Sequence, residues 1–173
     1  HAELEAENEQ LSELARIDPL TSLPNRRSIE DDLERAIAVA NRSGRAFTAM
    51  MIDVDGFKSI NDTHGHAVGD EVLRAMAQRI AHTCRANDAL ARLGGDEFLL
   101  AFDGDAGAAE VERFVQRLLA QFDEPLTAGT VTLRVGVSIG IALYPDHALD
   151  FDALFTRADA AMYAVKQDGG GYR

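Results

Sequence analysis

Gly94-Gly95 stands between two apolar-alternating runs, one closing at Leu93 and the other carrying Phe98, Leu100 and Phe102. That arrangement predicts a β-hairpin whose tight turn uses the left-handed backbone region open to glycine. Asp96 and Glu97 follow the turn directly. A tip that had only to stay soluble would accept any polar pair. Adjacent carboxylates against a glycine turn instead give an open backbone and dense negative charge where a cation and a phosphate can approach. A second acidic cluster, Asp53-Val54-Asp55, closes the apolar run 46–54, which reads as a buried strand.

The other runs set the order of elements. Residues 1–15 carry Leu4, Leu11 and Leu14 at heptad-like spacing among five Glu and predict a helix, either packed on its own domain or forming the tail of a signalling coiled coil. The chain divides into an N-terminal helical stalk or linker at 1–17 and one domain at 18–173. Asp18 to Arg27 contains two prolines and predicts a structured turn, after which Ser28 and Asp31 are expected to cap a helix bearing Ile29, Leu33 and Ile37. Residues 56–69 read as a polar loop. Val72, Leu73, Met76 and Ile80 mark one helix, and Val111, Phe114, Val115, Leu118 and Phe122 another. Val131 to Ile139 alternate as one long strand, and Leu154, Ala158, Ala161, Met162 and Val165 mark a last helix before Gly169-Gly170-Gly171.

From residue 46 the order is β-α-β-β-α-β, an α/β (α+β) ferredoxin-like core with additional N- and C-terminal helices. A right-handed first crossover makes strand 46–54 and the strand before Gly94 point the same way, so Asp53 and the hairpin tip share one sheet edge.

A chain of 173 residues with 46% hydrophobic content suits a single core. Its net charge of −12 argues against a nucleic-acid partner held by a basic surface. Cys84 stands alone, which excludes an internal disulfide framework, and no Cys and His cluster has zinc spacing. The lone cysteine fits a reducing, cytoplasmic setting, and no apolar run has transmembrane length. The chain begins with His1 rather than Met and is expected to be a segment of a longer, membrane-anchored or sensory, parent.

Asp53, Asp96 and Glu97 are candidates for one cation site, with a backbone carbonyl near Val54. Carboxylate oxygens without His or Cys suit Mg²⁺ or Mn²⁺ bound together with substrate phosphates. Such sites carry out phosphoryl or nucleotidyl transfer.

The run Arg92-Leu93-Gly94-Gly95-Asp96-Glu97-Phe98 resembles the signature of GGDEF domains, the diguanylate cyclases. Asp18 to Arg27 is similar to that family's D-x-L-T-x-L-P-N-R-R turn, and Asp53 to Asp62 to its D-x-D-x-F-K-x-I-N-D segment. Gly65-His66 with Gly69-Asp70, Ser138-Ile139-Gly140, and Ala158 to Tyr163 match further family motifs. The resemblance implies a fold like the palm domains of nucleotidyl cyclases and polymerases. It implies condensation of two GTP into cyclic di-GMP and pyrophosphate in bacterial second-messenger signalling, by two domains face to face as a homodimer.

By position the resemblance gives Asp53, Val54 and Asp96 to the metal and Asp96 and Glu97 to activation of the 3′-hydroxyl. It gives Asn61 and Asp70 to the guanine, and His66, Phe57, Lys58 and Lys166 to GTP. A carboxylate can accept from guanine N1 and N2 hydrogens, which adenine does not present in that pattern. The plainer readings are loop structure for His66, a turn for Asn61, a helix cap for Asp70 and a counter-charge for Lys58. Arg85 and Asp88 fall at the register of the family's R-x-x-D product-inhibition site, where cyclic di-GMP acts as feedback inhibitor.

The sequence also departs from the pattern. Gly170 stands where an Arg contacting the triphosphate is expected, a loss of roughly 1.5–3 kcal/mol if uncompensated. His64 replaces a more usual aromatic and Ser22 a more usual Gly. Two alternatives therefore stand beside an active cyclase. One is a weakly active or inactive GTP-binding domain that regulates an attached domain such as a cyclic di-GMP phosphodiesterase. The other is a different palm-like cyclase or polymerase, against which Asn61, Asp70 and the acidic surface argue.

Overall fold

The computed structural model describes residues 1–103 and 107–173, except the side chains of Glu9, Ser12–Leu14 and Asp103; the Leu14 position of the heptad reading lies outside the described residues. Helix α1 (Ala2–Leu14) leads into the turn and α2 (Arg26–Ser43). Then come β1 (Phe47–Val54), α3 (Phe57–His64), α4 (His66–Thr83), β2 (Ala89–Gly94), β3 (Glu97–Asp103) and α5 (Ala108–Ala120). The remainder is β4 (Leu126–Ala128), β5 (Val131–Leu133), β6 (Val137–Tyr144), α6 (Phe151–Gln167) and β7 (Gly171–Tyr172).

The main sheet runs β2-β3-β1-β6-β7. Its first three pairings are antiparallel, the β-α-β-β-α-β core expected, and β7 adds a parallel edge strand that sequence patterning did not reveal. β1 is buried along its whole length because both faces are covered. Met50, Ile52 and Val54 join a core with α4 and α5, while Ala49 and Met51 join a second with α2 and α6. Successive strand side chains alternate faces, so a centrally buried strand reads as one unbroken apolar run.

Three expectations are corrected. The strand predicted at 131–139 is two strands. β5 pairs with β4 in a separate hairpin, and β6 pairs with β1 after a break at 134–136. Val135 and Val137 stay buried across that break, so the alternation continues while the hydrogen-bonding partner changes. The loop predicted at 56–69 is α3 and the start of α4, separated at Gly65; α3 has no fully buried residue and sets only Phe57 and Ile60 against the core, too few apolar positions to mark a helical period. Helix α2 is capped by Asn25, whose side chain accepts from the Ser28 N–H, rather than by Ser28 and Asp31. Ser28 Oγ instead donates to the Arg16 carbonyl at 2.7 Å, and Asp31 pairs with Arg16.

The predicted turn at 18–27 is present. Asp18 Oδ2 accepts from the Thr21 N–H and hydroxyl at 2.9 and 2.8 Å, and Ser22 adopts φ 61°. The sheet's other main constraint is Gly140 on β6. A Cβ there would lie 2.0 Å from the Ala158 carbonyl oxygen and 2.3 Å from the Met162 nitrogen, so α6 packs directly on the strand backbone.

Candidate functional site

The register of the central strands assembles the acidic edge. Asp53 is opposite Glu97 across β1 and β3, and the Val54 N–H donates to the Asp96 carbonyl at 3.3 Å. The turn between β2 and β3 uses Gly94 at φ 135° and Gly95 at φ 50°, conformations that a side chain would strain. β1 and β2 are both antiparallel to β3 and so run the same way, which places Asp53 and the tip on one edge as the topology required.

Asp53 is 6% exposed. Its Oδ2 pairs with Lys166 Nζ at 2.8 Å, while its buried Oδ1 has no hydrogen-bond partner among the described residues. Burial and then the neighbouring Asp96 push the Asp53 carboxyl up to about 7, although Lys166 opposes both. Burial also raises Glu97, with the charges of Asp53 and Asp159 adding to it. For Lys166 burial alone works against the charged form, but Asp53, Asp96 and Asp55 outweigh it and the ammonium is held above its ordinary value. Among the described residues no three acidic, His or Cys side chains are grouped to hold an ion, so Glu97 does not complete a three-carboxylate cage. The fit for a hard divalent cation instead rests on Asp53, whose orphaned buried oxygen and repulsion with Asp96 a cation would relieve.

Asp55, two residues on, does different work. Ser138 Oγ donates to its Oδ1 at 2.6 Å, and its N–H donates to the Gly136 carbonyl at 2.9 Å. A Cβ at Gly170 would lie 3.0 Å from Asp55 Oδ2, and Gly170 has φ 101°. The position where the resemblance leads one to expect Arg is therefore a left-handed turn packed on Asp55, from which β7 enters the sheet beside β6. Sequence reading missed this role for Asp55 and Ser138, although both lie within quoted motifs.

The nucleotide-binding candidates fall around α3 and α4. The Asn61 side chain lies over Gly69: a Cβ on Gly69 would be 1.8 Å from Asn61 Oδ1 and 3.3 Å from Phe57 Cζ. Asn61 Oδ1 is buried without a hydrogen-bond partner among the described residues, and Asp70, the next residue after Gly69, is exposed near the start of α4. Lys58 and His66 are exposed at the two helix starts.

Arg85 and Asp88 lie apart from this edge. The Asp88 carboxylate accepts from the Arg85 N–H at 2.7 Å, and Arg85 Nη2 lies 3.7 Å from Glu110 Oε1. A cavity of about 190 Å³ there is also lined by Arg113 and Arg117 of α5, which supply further guanidinium groups from the same chain. A cavity of about 690 Å³ between α2 and β2–β3 touches none of the acidic-edge residues.

Arg92, the first residue of the signature, fastens the tip to the opening turn. It pairs with Asp18 Oδ1 at 2.9 Å, donates from Nε and Nη2 to the Gly95 carbonyl, and its N–H donates to the Pro24 carbonyl at 3.0 Å. Burial works against the Asp18 carboxylate, but Thr21 and Arg92 more than offset it and hold Asp18 below the ordinary value.

The family model for the diguanylate cyclase GGDEF domain matches residues 15–171. This chain belongs to the GGDEF family. Outside the match lie only the first fourteen residues, which include all of α1, and the last two. The GGDEF domain is 43% identical to the diguanylate cyclase TpbB of Pseudomonas aeruginosa over 99% of this chain and 40% of that protein. It is 42% identical to the bifunctional diguanylate cyclase/cyclic di-GMP phosphodiesterase MucR of the same organism, over 95% of this chain and 24% of that protein. The chain thus spans less than half the length of these curated relatives. The solved GGDEF domain of Pseudomonas aeruginosa TpbB superposes with a TM-score of 0.87 at 42% identity, covering 91% of this chain and 92% of that one.

Proposed function

We propose that this GGDEF domain is a diguanylate cyclase, a nucleotidyltransferase that condenses two GTP into cyclic di-GMP with release of two pyrophosphates. The observation that carries the reading is Asp53, buried at a sheet edge with one oxygen unpartnered and Asp96 against it. Asp53, Asp96 and the Val54 carbonyl would hold Mg²⁺ or Mn²⁺, which supplies charge neutralisation at the triphosphate and the leaving pyrophosphate. In each step the ribose O3′ forms a bond to the α-phosphorus of the other nucleotide, and the bond from that phosphorus to pyrophosphate breaks. Glu97, made more basic by burial, accepts the hydroxyl proton with Asp96 beside it.

Lys166 leaves Asp53 for the phosphates, an exchange one lysine can make because its ammonium is a compact charge on a flexible stem. Phe57 and Lys58 flank the phosphate loop, while Asn61 and Asp70, with His66 nearby, read the guanine edge. Arg85 and Asp88, backed by Arg113 and Arg117, take the product as feedback inhibitor. A homodimer is required because each domain holds one GTP. The 1–17 segment acts as a stalk, its Leu4 and Leu11 65% and 62% exposed, joining residues 18–173 to an upstream sensory domain. The domain works in the cytoplasm; among the described residues no helix is long and apolar enough to cross a membrane.

The closed turn at Gly170 favours a second reading, a GTP-binding domain of low turnover that regulates an attached phosphodiesterase; the bifunctional relative MucR supports it. Incubation with Mg²⁺ and GTP at high protein concentration, followed by chromatography of the nucleotides, separates the two. Cyclic di-GMP is expected from the unaltered chain, and Asp96→Ala or Glu97→Ala should abolish it with the fold retained. Near-normal turnover in both variants would sink the assignment, and GTP binding without product, even in a forced dimer, would favour the regulatory reading.

A further inference from the structure

The outer flank of the hairpin tip carries a second charged cavity, an open space of about 370 Å³ lined by Arg26, Arg27, Arg92 and Gly94 with Asp18 and Glu30. Three arginines against two acids make a local positive excess in a chain of net charge −12. Asp18 is committed to Arg92. Among the described residues Arg26 forms no ion pair within 4.0 Å; its guanidinium sits over the Phe155 ring at 4.9 Å, which fixes its position without neutralising it. Its charge still reaches Glu97, where it works against the raised value.

A condensation needs the O3′ of one nucleotide in line with the α-phosphorus of another. On the cyclase reading one nucleotide is held at Asp53 and Asp96. The second must arrive from outside, and β2 is the outermost strand on that side, its Leu93 and Gly94 lining the arginine cavity. Two triphosphates and two acidic edges brought face to face repel unless a cation is supplied at the junction. We infer that Arg26, with Arg27 beside it, forms an anion site in trans for the phosphates of the GTP held by a facing copy of this domain. The inference rests on the cyclase reading and names the element that completes its active dimer.

The test compares the unaltered chain with Arg26→Ala and Arg26→Lys, using the α-thio analogue of GTP with Mg²⁺. Affinity is read on dilute monomer by calorimetry, nucleotide-driven dimerisation by sedimentation, and turnover with GTP separately. Arg26→Ala is expected to keep monomer affinity within about twofold, weaken nucleotide-driven dimerisation by about tenfold or more, and lower turnover in step. Arg26→Lys should recover part of both. A fall in monomer affinity matching the fall in turnover would put Arg26 on its own domain's nucleotide and overturn the inference, as would unchanged dimerisation or a lowered melting temperature that accounts for the loss. If the unaltered chain binds no GTP, the cyclase reading and this inference fall together; if it makes cyclic di-GMP and Arg26→Ala matches it, only the inference falls.

Discussion

Replacing Asp53 with Asn should make the metal-free domain more stable while removing its response to metal. In the folded chain the Asp53 carboxyl is raised from 3.8 to about 7 by burial and by Asp96, even with Lys166 at 2.8 Å. Its folded value lies above its unfolded one, so the folded state binds the extra proton between them and stability falls as pH rises through that interval. At about 1.4 kcal/mol per pH unit the gain from removing the charge has a ceiling near 4 kcal/mol. Water reaching this edge and the loss of the Lys166 partner reduce that, and about 1–2 kcal/mol is expected at pH 8, or roughly 3–6 °C in melting temperature for a chain of this size. The gain should shrink as pH falls from 7 toward 4.

Thermal unfolding of both proteins across pH 4–8, without and then with Mg²⁺, gives the assay. A cation that binds only the folded chain stabilises it by about 2.7 kcal/mol at a hundred times its dissociation constant. That increment should appear in the unaltered protein and not in Asp53→Asn. An Asn variant that melts at or below the unaltered chain at pH 8 would refute the reasoning, because Asp53 would then be a satisfied structural carboxylate rather than half of an incomplete site.

Gly140→Ala should cost roughly 3 kcal/mol, because its Cβ meets backbone atoms of α6 at 2.0 and 2.3 Å that cannot move without shifting the helix; a urea midpoint equal to the unaltered chain's would contradict that. Gly69→Ala should fold, since the clash is with the flexible end of Asn61, yet it should displace Asn61 and weaken GTP more than ATP in competition binding. Restoring the family's usual residue with Gly170→Arg should not tighten GTP binding, and should lower stability by about 1–2 kcal/mol, because φ is 101° and Asp55 Oδ2 fills the adjacent space; tighter binding in calorimetry would show that the turn opens at little cost.

The reading of Gly170 illustrates how far sequence alone reaches. Its departure from the family pattern was visible as a missing charge. That the position is a left-handed turn resting on Asp55, with β7 beyond it in the sheet, followed only from placing residues 55, 138 and 170 together. The converging edge was legible because strand direction follows from handedness of the crossover, and the motifs around Asp53, Asn61, Asp70 and Gly94–Glu97 stood in unbroken order. Helix α3 escaped the sequence reading because its 8 residues set only Phe57 and Ile60 against the core, too few for an apolar period, and the two-strand nature of 131–144 escaped it because burial alternates across a change of partner.

By itself the sequence determined the family, the central buried strand, the glycine turn and the residues offered to metal and guanine. Each of those is recorded in residue type, local spacing or the order of motifs. The tertiary structure decided that one oxygen of Asp53 lacks a hydrogen-bond partner among the described residues, that Lys166 meets the other, that Arg92 ties the tip to Asp18, and that Arg26 sits over the Phe155 ring beside the tip. Those facts depend on distances between residues far apart in the chain, and burial and charge act through space rather than along the backbone.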